Sequence, residues 1–325
     1  MRRVVWSVLT GLGVFFIVLA IMSRFYVPGQ AVKFPLNEYS INTLEATNAS
    51  WFSPKSVSEL SPVTLQVVNT VKGNIAAADS LGSSNVAVWQ SFAAIEDLTD
   101  HQQVDIPASA DELAFNRRTG LLVPWHGNTV DGKALPLSAS GQAYTWPLGS
   151  KKQSYQVFDT TLKKPVTFVY KGTATTDGVA TYEYVAIIPS TQVGTQSLPG
   201  SLVGINSPEV TLPEFYSTTE HYYVDPVTGA PLLIQRSVSQ VLKDSSGATK
   251  LVLLSADFKT TPASLAAVVK SDNHYRNEIN VVTTVVPIIA LLVGIILVVV
   301  GLVLSRSRSE DEEYEDEDEE VSSPV

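Results

Sequence analysis

Two long runs without a charged side chain constrain this chain more than anything else in it. Val4–Met22 and Val281–Leu304 contain no Asp, Glu, Lys or Arg. At ~1.5 Å per helical residue they reach roughly 28 and 36 Å, enough to cross a hydrocarbon core of ~30 Å. In lipid only a helix satisfies its own backbone groups, so both are expected to be helical despite their Val and Ile content. Residues 4–22 and 281–304 are therefore read as transmembrane helices. The first run follows Arg2 and Arg3 as a signal peptide would, but Leu19-Ala20-Ile21-Met22-Ser23-Arg24 offers no small-x-small cleavage site, and an uncleaved anchor is expected.

Two spans put both short tails, residues 1–3 and 305–325, on one side and everything between them on the other. Arg2, Arg3, Arg306 and Arg308 flank the spans on the tail side, so both ends are read as cytoplasmic and the middle as extracytoplasmic. Charge separates the tail from the rest. The chain has 22 basic and 32 acidic residues, and ten of the acids fall in Glu310–Glu320. Without them the balance is 22 against 22, so the tail alone makes the protein acidic. Such a run repels itself and is expected to be a disordered, solubilising tail or a docking segment for a basic cytoplasmic partner. A neutral remainder gives no sign of nucleic-acid binding. The absence of cysteine excludes disulfides and thiol chemistry, so the middle folds without covalent staples.

Residues 23–62, rich in Pro, Asn and Ser, read as an extended juxtamembrane segment, and residues 63–260 as a β-rich domain. Within it Pro165–Thr173 and Ala180–Ile188 alternate with period two about Asp177-Gly178, a strong hairpin signal. Leu232–Leu242 and Lys250–Phe258 form a second hairpin through Asp244-Ser245-Ser246-Gly247. Two turns share the frame Asn/Asp-x-x-Thr-Gly: Asn116–Gly120 and Asp225–Gly229. Each predicts a type I turn capped by the Asn or Asp side chain, with Gly120 and Gly229 in the left-handed region. The shared frame raises the prospect of two related β units. Gly141, outside that frame, is expected to tolerate substitution better. Thr261-Pro262 then opens a juxtamembrane helix over 261–280, leading into a second span that Pro287 bends slightly. The fold class is thus a mainly antiparallel β domain flanked by two transmembrane α-helices. Ser7 with Gly11, and Gly294 with Gly301, each fall on one helix face and are the candidate helix contacts.

Signs of catalysis are sparse. Gly127–Ala134 has phosphate-loop spacing, but Ala134 stands where Ser or Thr must meet magnesium and Pro136 blocks the following helix, so a surface turn is expected. His101, His126, His221 and His274 are scattered without a pair at metal-ligand spacing. No nucleophile elbow or dinucleotide loop is present. The expectation is a non-catalytic protein without cofactor or metal.

The segment Tyr144-Thr145-Trp146-Pro147-Leu148-Gly149-Ser150-Lys151-Lys152-Gln153-Ser154-Tyr155-Gln156-Val157-Phe158-Asp159-Thr160-Thr161 resembles the signature of an actinobacterial membrane family, the porin PorA family. The Arg118-Thr119-Gly120 and Val224-Asp225-Pro226 turns and the two terminal spans are similar too. The resemblance implies an envelope protein whose middle domain lies outside the plasma membrane, and it brings no catalytic residues. The β segments read as a soluble sheet, not as the lipid-facing strands of a barrel porin, and neither span carries an ionisable residue to line a pore. The leading expectation is therefore a domain that binds or passes on an envelope lipid or glycolipid. A receptor-like or scaffolding protein comes next, and a channel component third. Phe168, Tyr170, Tyr182 and Tyr184, with apolar bodies and polar tips, are the candidate ligand-lining residues. The plainer reading is that they fill the sheet's own core.

Overall fold

The computed structural model describes residues 2–104 and 109–320. In chain order its elements are α1 (Arg2–Phe25), α2 (Val27–Ala31), β1 (Tyr39–Ser53), β2 (Ser58–Gly73), α3 (Ile75–Ser80), β3 (Val86–Asp97), β4 (Gln102–Gln103), β5 (Ser109–Asn116), β6 (Thr129–Val130) and β7 (Lys133–Ala134). There follow β8 (Tyr155–Asp159), β9 (Lys164–Thr176), β10 (Val179–Leu198), a 3-10 turn (Gly200–Val203), β11 (Val210–Val224), β12 (Pro231–Lys243), β13 (Thr249–Thr260), α4 (Pro262–Asn280), a π-helical turn (Val281–Val285) and α5 (Val286–Glu320). They divide into two compact units, one made of Met1–Val32 with His274–Val325 and the other of Lys33–Asn273.

Two helices are long and apolar enough to cross a membrane, the most apolar 18-residue stretches within Val5–Phe25 and Pro262–Ser305 having mean hydropathy 2.4 and 3.2. Their contact differs from the expected one. Gly13, not Gly11, meets α5: a Cβ there would lie 2.7 Å from the Gly294 carbonyl oxygen, whereas Gly11 has nothing within 4 Å. Two residues turn a helix by roughly 200°, which carries Ser7 and Gly11 off the contact face. Gly301 does serve as expected, since a Cβ there would sit 2.3 Å from Thr10 Oγ1. The π turn precedes Pro287, whose ring would collide with the Thr283 carbonyl in a regular helix; widening the turn relieves this. The backbone of α5 continues to Glu320, so residues 305–320 are helical where a disordered tail was expected. Extending an existing helix needs no new nucleus, and Glu is a good helix former. Residues 321–325 lie outside the described residues.

The second unit is one antiparallel sheet in the order β7-β6-β5-β3-β2-β1-β13-β12-β11-β10-β9-β8, with β4 beside β3. The chain starts in the middle at β1, meanders to β7 at one edge, crosses to β8 at the other and meanders back to β13, which pairs with β1. Single-residue bridges then join Phe115 to Leu122, Leu121 to Gln142, and Gln142 to Val157 of β8. The pairing path thereby returns on itself, so the described strands form one continuous sheet. Strand β1 corrects the expected extended segment over 23–62: it lies at the centre of the sheet, paired on both sides. A bulge explains why its period was hidden. Asn48 takes φ 56°, and Ala46 and Ala49 both come to face inward, so the alternation changes phase midway.

The two predicted hairpins form about Asp177-Gly178 and Asp244–Gly247. Gly127–Ala134 is only in part the surface turn expected: β6 and β7 pair across an exposed Asp131-Gly132, but Asn128 and Val130 are buried. Thr261 caps α4 as read, accepting the Ser264 N–H at 3.2 Å. Outward-facing rows on β11–β13 are polar; Ser217, Ser239 and Ser255 lie in line across these three strands, as do Thr219, Ser237 and Asp257, while Ile187, Phe92 and Val169 are exposed on other strands. Inward rows carry Leu44, Trp51, Leu65, Ile188, Val238, Leu254 and Phe258, gathered in one core.

Candidate functional site

Both Asx turns have the geometry their sequence demands. Gly120 and Gly229 take φ 71° and 75°, and their N–H groups return to the carbonyls of Asn116 and Asp225 at 2.9 and 2.8 Å. Asn116 Oδ1 accepts from Thr119 N at 3.1 Å, and Asp225 Oδ1 from Val227 N at 2.7 Å. They do more than reverse the chain, because both hold the same crossing segment between β7 and β8. Ala143 N donates to Gly120 O and Leu148 N to Arg118 O, each at 2.9 Å; Trp146 N donates to Gly229 O at 2.9 Å and Gly149 N to Val227 O at 3.1 Å. Approach is so close that a Cβ would lie 2.5 Å from Thr145 O at Gly120 and 2.1 Å from Trp146 O at Gly229. Gly141 does not behave as expected: it has φ 111°, and a Cβ would sit 2.9 Å from Phe158 N, so it is constrained in the same way.

Held from both sides, the segment sends Tyr144 towards one half of the sheet and Trp146 towards the other. Tyr144 joins Phe34, Trp89 and Phe115. Trp146 stacks on Tyr184 with ring centroids 5.5 Å apart and meets Phe168 edge-on at 5.6 Å. Tyr170 and Tyr182 pack around this cluster. The four candidate ligand-lining residues are thus brought together, but as filled core. Tyr184 is 0% exposed, its ring against Trp146 and its hydroxyl donating to Lys151 O at 2.8 Å. Periodicity revealed the shared face of Phe168 and Tyr184; it could not reveal that a tryptophan from a distant loop already occupies the space between them.

Along β11 the inward row runs Val224, Tyr222, Glu220, Thr218, Tyr216, Glu214, Leu212, away from the aromatic cluster. Glu220 pairs with Arg236 at 2.7 Å, and Arg236 Nη2 donates to the Tyr216 hydroxyl at 2.6 Å. Burial pushes the Glu220 carboxyl up, and the Arg236 charge opposes that shift. Beyond this pair the filling gives out. A cavity of ≈ 430 Å³ opens at the strand ends opposite Tyr39 and Thr260. Its walls are Phe52 at the end of β1, Pro54 and Val57 of the β1–β2 turn, Leu198 at the end of β10, Pro199 and Leu202 after it, and Leu242, Leu251 and Leu253. The polar lining groups are Gln196, Ser197, Glu214 and Gln240. Gln196 Nε2 donates to Glu214 Oε2 at 3.0 Å, and Gln240 Nε2 donates to the other carboxylate oxygen.

A cavity in the ~300–1,000 Å³ range with apolar walls and a few convergent polar groups is the usual form of a small-molecule site. None of the four candidate aromatics lines it. Sequence reasoning missed Glu214 because an acid in an alternating strand reads as solvent-facing, and because the walls come from four separated stretches. Among the described residues no group of three His, Asp or Glu is placed to hold a metal.

Residues 7–303 match the sequence model of the family described as Porin PorA. No curated protein matches the chain.

Proposed function

The chain belongs to the porin PorA family and is a membrane protein of the cell envelope; from that premise we propose that its β unit is a non-catalytic domain that takes an amphipathic lipid or glycolipid into the Glu214 cavity. The observation that carries this reading is the cavity itself, apolar on its walls and polar at one end, in a chain that also carries two helices long and apolar enough to cross a bilayer. Polar outward rows and a side-chain-filled interior favour a water-exposed sheet over a lipid-facing barrel. Short basic tails favour cytoplasmic ends and an extracytoplasmic β unit. The acidic helix end would then be a solubilising or docking segment inside the cell.

Native mass spectrometry of the full chain released from mild detergent tests the carrier reading. One amphiphile per chain is expected on the wild type and none on Leu253→Trp, which fills the cavity. Absence of an adduct, or an adduct that Leu253→Trp leaves untouched, would sink it. A pore is the second reading, resting on the family's description. It requires single-channel currents from the full chain in planar bilayers.

A further inference from the structure

The cavity's polar end carries one buried carboxylate and no cationic side chain, and we infer that it selects amphiphiles whose polar end donates hydrogen bonds and bears no negative charge. This rests on the carrier reading above and specifies its ligand. Glu214 is the only ionisable side chain in the lining and is 7% exposed. A carboxylate cannot donate, so the amide nitrogens of Gln196 and Gln240 must face it, one on each oxygen. Each amide thereby spends one N–H on Glu214 and leaves its carbonyl oxygen and its second N–H for a ligand. The remaining polar lining group, the Ser197 hydroxyl, is already engaged with Thr211 Oγ1 at 2.8 Å.

An incoming polar group therefore meets the amides of Gln196 and Gln240 and the free lone pairs of a buried carboxylate, with no cationic side chain in the lining. Hydroxyl or ammonium hydrogens satisfy those lone pairs. A carboxylate or phosphate can take the remaining amide N–H groups but faces the like charge of Glu214 with no cation to offset it. A leucine-walled cavity takes the acyl chain of either kind equally well. Discrimination is thus assigned to the polar end and specifically to the charge on Glu214.

The test uses the full chain in a non-ionic detergent at pH 8, titrated calorimetrically with 1-monooleoylglycerol and with oleate, which share a chain and differ in the polar end. Monooleoylglycerol is expected to bind one per chain, and oleate about ten-fold or more weakly. In Glu214→Gln, which removes the charge at nearly constant shape, the gap should shrink to about three-fold or less. Oleate binding as tightly as monooleoylglycerol to the wild type would overturn the inference and leave the carrier reading standing. Failure of both probes on the wild type, with no adduct in the mass spectra, would overturn the carrier reading and this inference with it. The wild-type ratio decides between these outcomes even if the variant does not fold.

Discussion

Tyr144 and Trp146 leave one strand of chain for opposite halves of the sheet, and the two halves hold them by different forces. Trp146 is held by shape. It is enclosed by Tyr184, Phe168 and Tyr222, while its buried indole N–H finds no hydrogen-bond partner among the described residues. Tyr144 packs on Trp89 and Phe115, but its hydroxyl is also tied to the Trp89 carbonyl at 2.8 Å and to the Asp111 carboxyl. One hydroxyl proton cannot serve both acceptors, so the second contact is complete only when Asp111 carries a proton. A buried indole N–H without an acceptor is costly, and is retained because three rings fill the space around it. The difference shows that the Trp146 ring contacts are held by packing alone, while the Tyr144 contact includes a titrating group.

The largest effect expected from this contrast is at Trp146. Trp146→Ala should destabilise the full chain by about 3–5 kcal/mol, since it removes a large ring from a filled cluster. Urea unfolding followed by circular dichroism measures it, and a loss below about 1 kcal/mol would mean the cluster is not a packed core. Next comes the clamp behind it. Gly229→Ala must push the Trp146 carbonyl away and strain φ, and should cost about 2–4 kcal/mol. Gly178→Ala, at φ 81° in open space, should cost about 1 kcal/mol. Equal losses at the two glycines would break the claim that the turn holds the segment.

The smallest effect sharpens the comparison in pH. Burial holds the Asp111 carboxyl up at about 6, from an ordinary 3.8, with the Tyr144 hydrogen bond opposing and the Asp131 charge adding to the shift. A raised carboxyl pKa means the folded chain keeps its proton longer than the unfolded chain. Stability from this group is therefore greatest below pH 4, falls between pH 4 and 6, and stays lost above pH 6. Asp111→Asn should match the wild type near pH 4 and exceed it by about 2 kcal/mol at pH 8. Parallel stability profiles for the two proteins would contradict the assignment.

How much of this the sequence disclosed depends on how local the cause was. The turns at Gly120 and Gly229, the Asp177-Gly178 hairpin, the Thr261 cap and the two spans are set by chemistry within a few residues, and all were legible. Strand β1 was not, because its bulge at Asn48 shifts the inward phase. Nor was Gly141, whose constraint comes from Phe158 across the bridge, nor the loss of Tyr184 as a ligand contact, which needs Trp146 from another loop. The Glu214 cavity lies furthest from local reading, since it is defined by side chains that fail to meet.

The pairing of the first strand with the last has a consequence for how this chain comes into being. On a growing polypeptide Leu44 emerges early and its partner Thr260 almost at the end. Closing so long a loop must be achieved before any contact rewards it, which makes the step late and slow. Until then β1 carries an open edge, the kind of surface on which nascent chains aggregate. Because α4 and α5 follow β13 directly, the strand that pairs with β1 and the apolar helix long enough to cross a bilayer leave the ribosome in immediate succession. Maturation of the sheet is thereby timed to the synthesis of α5.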